Sequence, residues 1–248
     1  MSSAVYPSLK GKRVVITGGA SGIGAGLVTG FARQGAETIF LDILEQESRD
    51  LVAALKDAPI APNFHQVDLC DLAAVERFFQ KIGPIDVLVN NAANDDRHTL
   101  KDVTPAYWDD RMAVNLRHMF FAAKAVAPGM KERGGGAIVN FGSISWHLGL
   151  PDMVLYETAK AGIEGMTKAL ARELGSDNIR VTCVVPGNVK TKRQMRWYTR
   201  EGEDEIVEQQ CLKARLEPKH VASLVMFLAS DDGRMCTGHE YWIDAGWG

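Results

Sequence analysis

Short apolar runs alternate with amphipathic stretches along almost the whole chain. In the apolar runs nearly every position is hydrophobic, which is typical of strands buried on both faces of a sheet. Polar and glycine-rich turns separate these runs from their neighbours. The pattern predicts strands at Arg13–Thr17, Glu37–Asp42, Asn63–Val67, Asp86–Asn90, Ala137–Phe141, Arg180–Val185 and Glu240–Ile243.

The stretches between the predicted strands have helical spacing of their apolar positions. Regular alternation of buried strands and helices implies a parallel sheet, and right-handed crossovers place helices on both of its faces. We therefore expect residues 1–248 to form a single α/β domain with a Rossmann-type doubly wound sheet of about seven strands between two helix layers. The predicted helices are Gly24–Gln34, Ser48–Lys56, Leu72–Lys81, Ala106–Glu132, Val154–Gly175 and Pro218–Ala229.

Residues 191–216 fit this alternation poorly. The segment is polar, follows the sixth predicted strand and has Trp197 and Tyr198 near its start. It is interpreted either as a substrate loop that covers a pocket or as an ordinary surface excursion.

Composition excludes several classes of protein. The formal net charge of −3 provides no electrostatic footprint for nucleic acid or an acidic membrane. The longest mostly apolar run, residues 221–229, is far shorter than the ~20 residues that cross a bilayer. Residues 1–7 have neither a basic start nor an apolar core, so no signal peptide is expected. The four cysteines form no C-x-x-C pair, and we expect a soluble protein of a reducing cytoplasm.

A glycine-rich turn follows the first predicted strand and opens the first helix. Backbone N–H groups at a helix N-terminus bind phosphate, and glycines let a pyrophosphate approach closely. The G-x-x-x-G-x-G spacing differs from the usual G-x-G-x-x-G pattern, and a plain strand-to-helix turn is the alternative. The nucleotide-binding residues predicted here are Gly18, Ser21, Gly22, Ile23 and Gly24.

Carboxylates end the second and third predicted strands. Asp42 is placed to accept hydrogen bonds from ribose hydroxyls and to repel a 2′-phosphate, and Ile43 stands where an arginine could pair with that phosphate. This pattern favours NAD over NADP. Asp68 and Leu69 are placed near the adenine, although Asp68 could instead cap the next helix.

Ser143, Tyr156 and Lys160 lie downstream of the glycine turn, with Tyr156 and Lys160 one helical turn apart. Tyrosine has a pKa of ~10 and is a poor base at neutral pH, but an ammonium group on the same helical face stabilises its phenolate. A buried tyrosine and a surface lysine without a catalytic role are the alternative. The set, together with a nucleotide turn, indicates transfer of a hydride and a proton.

These motifs together resemble the short-chain dehydrogenase/reductase family over essentially the whole chain. Within it, the chain is most similar to bacterial NAD-dependent enzymes that oxidise D-xylose at C1, on residues 94–98, 142–150, 184–194 and 237–247. One departure is Ala93, where many relatives carry glycine. The matching pieces are Thr17–Gly24, Asn90-Asn91-Ala92, Asn115, Ser143, Tyr156-x-x-x-Lys160 and Pro186-Gly187.

The resemblance implies a role for each matching residue. Tyr156 is the general base, Ser143 orients the substrate oxygen, Lys160 also holds the nicotinamide ribose, and Asn115 anchors a water that relays protons. It further implies a homotetramer. The remaining residues expected to bind NAD are Asn91, Ala92 and Ala93 after the fourth strand and Pro186, Gly187, Val189 and Thr191 after the sixth.

A sugar pocket requires polar groups for hydroxyls and an aromatic face for C–H groups. Solvated or surface positions are the alternative for each candidate. The basic cluster Lys190, Lys192, Arg193 and Arg196 is interpreted as a solvated turn or as a contact to cofactor phosphates. No metal is predicted, because the six histidines have no metal-ligand spacing. The candidate sugar-binding residues are Asp95, Trp146, His147, Asn188 and Trp197, beside Ser143 and Tyr156.

The expected reaction is oxidation of an aldose, with D-xylose the first choice, to the aldonolactone with formation of NADH. Three alternatives stay open. They are action on another sugar or polyol (L-arabinose, glucose, galactose), a ketoreductase of carbonyl or acyl substrates, and a non-catalytic NAD-sensing protein.

Overall fold

The computed structural model describes residues 4–248, so residues 1–3 of the segment tested above for a signal peptide lie outside the described residues. A single parallel sheet runs through these residues in the order β3-β2-β1-β4-β5-β6-β7. This is the doubly wound order predicted from the sequence, with its reversal of direction between β1 and β4. The strands are β1 (Arg13–Thr17), β2 (Glu37–Asp42), β3 (Asn63–Gln66), β4 (Val87–Asn90), β5 (Gly136–Phe141), β6 (Ile179–Pro186) and β7 (Glu240–Ile243).

Helices cover both faces of the sheet. No helix among residues 4–248 is long and apolar enough to cross a membrane. The α-helices are α1 (Gly22–Arg33), α2 (Glu45–Ala54), α3 (Leu72–Ile82), α4 (Pro105–Met112), α5 (His118–Glu132), α6 (Ile144–Leu148), α7 (Val154–Leu174), α8 (Arg200–Gln209) and α9 (Pro218–Ala229).

Strand β1 shows how the core is divided. Val14 and Ile16 pack with Phe31 of α1 in one apolar cluster, whereas Val15 packs with Phe79 of α3 in another. Successive side chains of a strand point to opposite faces, so one fully buried strand supplies both clusters. The continuous apolar runs in the sequence are explained by this two-sided burial.

The predicted helix 106–132 is not continuous. A π-helical segment, Ala113–Arg117, separates α4 from α5 and carries Asn115. The side chain of Asn115 accepts a hydrogen bond from Asn94 N (2.7 Å) and donates one to Asn94 O (3.0 Å). Such π-segments occur frequently at functional sites, and apolar spacing alone does not reveal them.

Two helices were missing from the sequence prediction. The five residues of α6 are too few to show a helical period. Helix α8 lies in the polar segment 191–216 and buries only Ile206 among its residues, so it has almost no apolar face. That segment is therefore partly helical rather than an irregular loop.

Candidate active site

The glycine turn joins β1 to α1 in a conformation that needs glycine. Gly18 and Gly22 have φ values of +68° and +53°, and a Cβ on Gly24 would lie 1.8 Å from the carbonyl oxygen of Gly18. Ser21 is the N-cap of α1, and its side chain forms no capping hydrogen bond. The N–H groups of the first turn are left for a ligand, while Ile23 packs against the core. This cradle fits a phosphate group.

The end of β4 is bonded to this turn. Asn91 donates through Nδ2 to the carbonyl oxygens of Thr17 (3.0 Å) and Gly18 (2.9 Å). The hydroxyl of Thr17 accepts from the backbone N of Asn91 (3.0 Å) and Ala92 (3.1 Å). A Cβ on Gly18 would stand 2.8 Å from the Cα of Ala92. Ala93 follows and is exposed, so its methyl group is directed away from the core.

Asp42 ends β2 beside the glycine turn. Its Oδ2 accepts a hydrogen bond from Ala20 N (2.9 Å), and its Oδ1 accepts from Ile43 N (2.8 Å) and Leu44 N (3.0 Å). The carboxylate is thus fixed at the edge of the cradle, where a ribose attached to the phosphates would lie.

Asp68 is exposed after β3, and its Oδ1 accepts from Cys70 N (2.8 Å). The alternative interpretation of Asp68 as a helix cap is wrong, because Asp71 caps α3 by accepting from Ala74 N (3.0 Å). Leu69 between them is 8% exposed and packs in the core beneath this corner.

Lys160 is buried beneath Tyr156. Its Nζ donates to the carbonyl oxygen of Phe141 at 2.8 Å and lies 5.3 Å from the centre of the Tyr156 ring. Burial lowers the pKa of Lys160 to about 8, against the raising effects of Cys183 and Asp95. A lysine with such a pKa can release its proton close to neutral pH.

Burial raises the pKa of Tyr156 above its usual range, and the charge of Asp95 acts in the same direction. The hydrogen bond from Ser143 and the charges of Arg193 and Arg97 lower it. The lowered pKa that the sequence suggested is therefore not a property of the protein alone. An added positive charge is required before this phenol ionises near neutral pH.

Ser143 is the N-cap of α6. Its Oγ accepts from Ser145 N at 3.2 Å and lies 2.9 Å from the Oγ of Ser145. The short helix that was absent from the sequence prediction thus fixes the Ser143 hydroxyl beside the phenol of Tyr156, where it acts to lower the pKa of that phenol.

The segment after β6 is held against the end of β7. Beyond Pro186, the N–H of Gly187 donates to Ile243 O (2.9 Å), and a Cβ on Gly187 would be 2.7 Å from the Cα of Asp244. Val189 is buried and pairs with Leu216 in an isolated parallel bridge. This turn is a fixed wall at the edge of the cleft.

Thr191 brings the chain back to the glycine turn, since its methyl group would lie 3.2 Å from a Cβ on Gly22. Asn188 donates to the hydroxyl of Tyr198 (2.9 Å) and accepts from Arg215 (2.7 Å). Trp197 is 50% exposed. The polar atoms of Asn188 are therefore used within the segment, whereas the ring of Trp197 is free to cover a ligand.

Asp95 has a different environment from the one expected. Its Oδ1 accepts from Arg193 Nε (2.6 Å) and its Oδ2 from Gln194 Nε2 (2.6 Å). Neither interpretation of the basic cluster foresaw that Arg193 pairs with Asp95. No local spacing signals this contact, because the two residues are 98 positions apart.

Trp146 and His147 direct their ring nitrogens to Glu164, a buried residue that the sequence analysis missed. Glu164 Oε1 accepts from Trp146 Nε1 at 2.8 Å and lies 3.3 Å from His147 Nε2. Burial raises the pKa of Glu164, and the hydrogen bond from Trp146 opposes this. Glu164 is four residues beyond Lys160 and lies on its helical face, which was the available signal. The His147 ring also packs against the rings of Trp146 and Trp242, with ring centroids 3.8 Å and 4.3 Å from its own, so its faces are covered within the protein.

One cluster within residues 4–248 has the donor set of a metal site. Ligand atoms of His147, Glu164 and Glu240 lie within 4.8 Å of one another. Trp146 already donates to Glu164, and Lys168 Nζ pairs with Glu240 at 2.8 Å. These partners occupy the carboxylates, and the absence of a metal stays a prediction.

The strand order, the glycine turn at β1 and Tyr156 above buried Lys160 define a nucleotide-dependent oxidoreductase with a doubly wound sheet. A family model described as enoyl-(acyl carrier protein) reductase matches residues 18–248. The chain belongs to the short-chain dehydrogenase/reductase family.

The chain is 72% identical to the D-xylose 1-dehydrogenase of Caulobacter vibrioides over 247 residues, which cover 100% of both proteins. It is 47% identical over 254 residues to a Rhizobium meliloti protein named probable galactose dehydrogenase, covering 99% of this chain and 98% of that one. The structure of L-sorbose reductase from Gluconobacter frateurii with NADPH and L-sorbose superposes with a TM-score of 0.92 at 27% identity, covering 98% of each chain.

Proposed function

We propose that this protein oxidises an aldose, D-xylose in the first place, at its anomeric carbon and gives the aldonolactone. The observation that carries the proposal is Tyr156 above the buried ammonium of Lys160, with Ser143 beside the phenol, in a chain 72% identical to a D-xylose 1-dehydrogenase. An anomeric hydroxyl placed between Ser143 and Tyr156 has both the acceptor and the donor that it needs.

Tyr156 takes the proton of the anomeric hydroxyl as general base. Ser143 hydrogen-bonds the same oxygen and holds it in line. Lys160 returns the proton toward solvent, which its pKa of about 8 allows. When bound, an oxidised nicotinamide accepts the hydride and brings a positive charge beside the phenol. Asn115, fixed to Asn94, is proposed to anchor the water of this relay.

We propose NAD as the cofactor, bound by the glycine turn, the end of β4 and the segment Pro186–Thr191. Asp42 supports NAD because a fixed carboxylate at the ribose end disfavours a 2′-phosphate. We also propose that 191–216 serves as the substrate loop. A cytoplasmic location fits the four free cysteines, and a homotetramer fits the exposed Phe120 and Phe121 on α5.

Action on another sugar is the second candidate, because the chain is 47% identical to a probable galactose dehydrogenase. Asp95, Trp197 and the ring of Trp146 are the proposed sugar contacts, whereas the polar atoms of Asn188 and the ring of His147 are engaged within the protein. A change of one hydroxyl's orientation is read by only a few such groups. A nucleotide sensor is disfavoured because Asn115, Ser143, Tyr156 and Lys160 are all present.

The test is NADH formation by the purified protein, followed by absorbance. NAD and NADP are each offered with D-xylose, L-arabinose, D-glucose, D-galactose and a secondary alcohol. We expect the highest kcat/KM with NAD and D-xylose. Activity with the alcohol and with no aldose would refute the sugar pocket and leave the hydride chemistry standing.

A further inference from the structure

Residues 191–197, here called the strap, connect the glycine turn with the loop of residues 94–98. Thr191 lies against Gly22 of the glycine turn, and Arg193 and Gln194 reach the loop of residues 94–98. The strap therefore spans from the phosphate cradle to the loop that borders the proposed sugar pocket. Its central contact is the guanidinium of Arg193.

Arg193 binds three consecutive side chains of the 94–98 loop. Its Nε donates to Asp95 Oδ1 (2.6 Å), and its Nη2 donates to Asn94 Oδ1 (2.9 Å) and Asp96 Oδ1 (2.7 Å). Gln194 adds a bond to Asp95 Oδ2 (2.6 Å). A planar guanidinium satisfies such a set with a fixed geometry, which a lysine cannot reproduce.

The 94–98 loop is joined in turn to the catalytic residues. The backbone of Asn94 is held by the side chain of Asn115, and Leu155 N, next to Tyr156, donates to His98 Nε2 at 3.3 Å. A displacement of this loop therefore affects both the relay and the start of the helix that carries Tyr156. Arg193 supplies three of the strap's hydrogen bonds to this loop, and Gln194 supplies one more.

The charge of Asp95 also acts on the reacting phenol. Asp95 raises the pKa of Tyr156, and Arg193 and Arg97 lower it. The charged groups around Tyr156 are thus Asp95 and Arg97 of the loop, Arg193 of the strap and Lys160 of α7. Without Arg193, the carboxylate of Asp95 would oppose ionisation of the phenol with less compensation.

We propose that Arg193 is a positioning residue, which fastens the strap to the 94–98 loop and holds Asp95 in place beside Tyr156 in the sugar pocket. The kinetic consequences of this proposal rest on the function proposed above. The contact between strap and loop stands independently of the substrate, because the structure holds it in the protein alone.

The first test is hydrogen exchange of strap peptides 191–197 in the protein without ligands, for wild type, Arg193→Gln and Arg193→Lys. Arg196→Gln is the matched control, since Arg196 lies on the same strap. We expect exchange at least ~10-fold faster in both Arg193 variants, because Lys retains the charge but not the fork of donors. Equal exchange in Arg193→Gln and Arg196→Gln would overturn the proposal.

The second test separates charge from geometry by kinetics. In Arg193→Gln we expect KM for the sugar to rise ~10-fold, with kcat changed less than ~3-fold. We also expect the rising limb of the pH profile of kcat/KM to move to higher pH. Arg193→Lys should restore the position of that limb but not KM. Adding Asp95→Asn to Arg193→Gln should also restore the limb, because it removes the charge left uncompensated.

A loss of NADH affinity in Arg193→Gln that is additive with Asp95→Asn would mean that Arg193 binds cofactor phosphates, and would overturn the proposal. If the wild-type protein oxidises no aldose, the proposed function fails. The exchange test would still decide whether Arg193 fastens the strap.

Discussion

The ammonium nitrogen of Lys160 lies 5.3 Å from the centre of the Tyr156 ring and is bonded to Phe141 O at 2.8 Å. The two side chains are one helical turn apart on α7, and the carbonyl at the end of β5 fixes the lysine under the phenol. The group that takes the proton from a substrate hydroxyl and the group that passes this proton on are thereby held together. The separate roles of the two residues can be measured.

Tyr156→Phe should abolish turnover and retain nucleotide binding. Loss of the general base is expected to lower kcat by about 10³-fold, whereas the glycine turn that binds the cofactor is unchanged. NADH binding followed by fluorescence should agree with wild type, and Tyr6→Phe, remote from the cleft, should affect neither property. Retention of more than a tenth of the wild-type activity would contradict the assignment of Tyr156.

Lys160→Met should reveal the energetic cost of burying the lysine. Its pKa falls from 10.5 to about 8 on folding. Such a lysine lowers the unfolding free energy at pH values where it is protonated in both the folded and the unfolded protein. This loss of stability diminishes as pH rises from the folded-state pKa toward the unfolded-state pKa. The advantage of Lys160→Met over wild type in unfolding free energy should therefore shrink by about 2 kcal/mol between about pH 7 and about pH 9.5.

Urea unfolding of both proteins across that pH range provides the measurement. The bond to Phe141 O is lost at every pH, so it shifts the difference without changing its slope. Lys168→Met is the control, because Lys168 is exposed and its bond to Glu240 raises its pKa. Parallel pH profiles for Lys160→Met and wild type would mean that Lys160 is not perturbed by burial.

Much of the fold could be predicted because the buried strands are apolar at nearly every position. The parallel, doubly wound sheet follows from the alternation, and the glycine turn, Tyr156 and Lys160 follow from local spacing. The Arg193–Asp95 pair could not be predicted, since it joins segments 98 positions apart. The π-helical segment at Asn115 could not be predicted for another reason. It is associated with hydrogen bonds between Asn115 and the backbone of Asn94, which the apolar pattern does not indicate.

Asp42→Ala combined with Ile43→Arg should change the choice of cofactor. The carboxylate that disfavours a 2′-phosphate is removed, and a guanidinium able to pair with that phosphate is introduced. The ratio of kcat/KM for NAD to that for NADP should fall by about 100-fold, or about 2.7 kcal/mol. Asp68→Ala is the control at the neighbouring strand end and should affect both cofactors alike. An unchanged ratio in the double variant would refute the role given to Asp42.

Gly24→Ala and Gly165→Ala place the same methyl group in two helices with opposite expected results. A Cβ on Gly24 would lie 1.8 Å from Gly18 O and 2.9 Å from Asn91 Nδ2, so the turn that cradles the phosphate must open. We expect a loss of stability of about 1–3 kcal/mol and NADH affinity at least ~10-fold weaker.

On Gly165, within α7, a Cβ would meet nothing within 4 Å among residues 4–248, apart from its own helix backbone and chain neighbours. Alanine should therefore raise stability there by about 0.5–1 kcal/mol, since it restricts the unfolded chain more than glycine does. Thermal unfolding with and without NADH measures both effects. The same nucleotide-dependent rise in Tm for both variants would show that the turn tolerates the methyl group, and that the close approach of Gly24 to Gly18 is not what shapes the phosphate cradle.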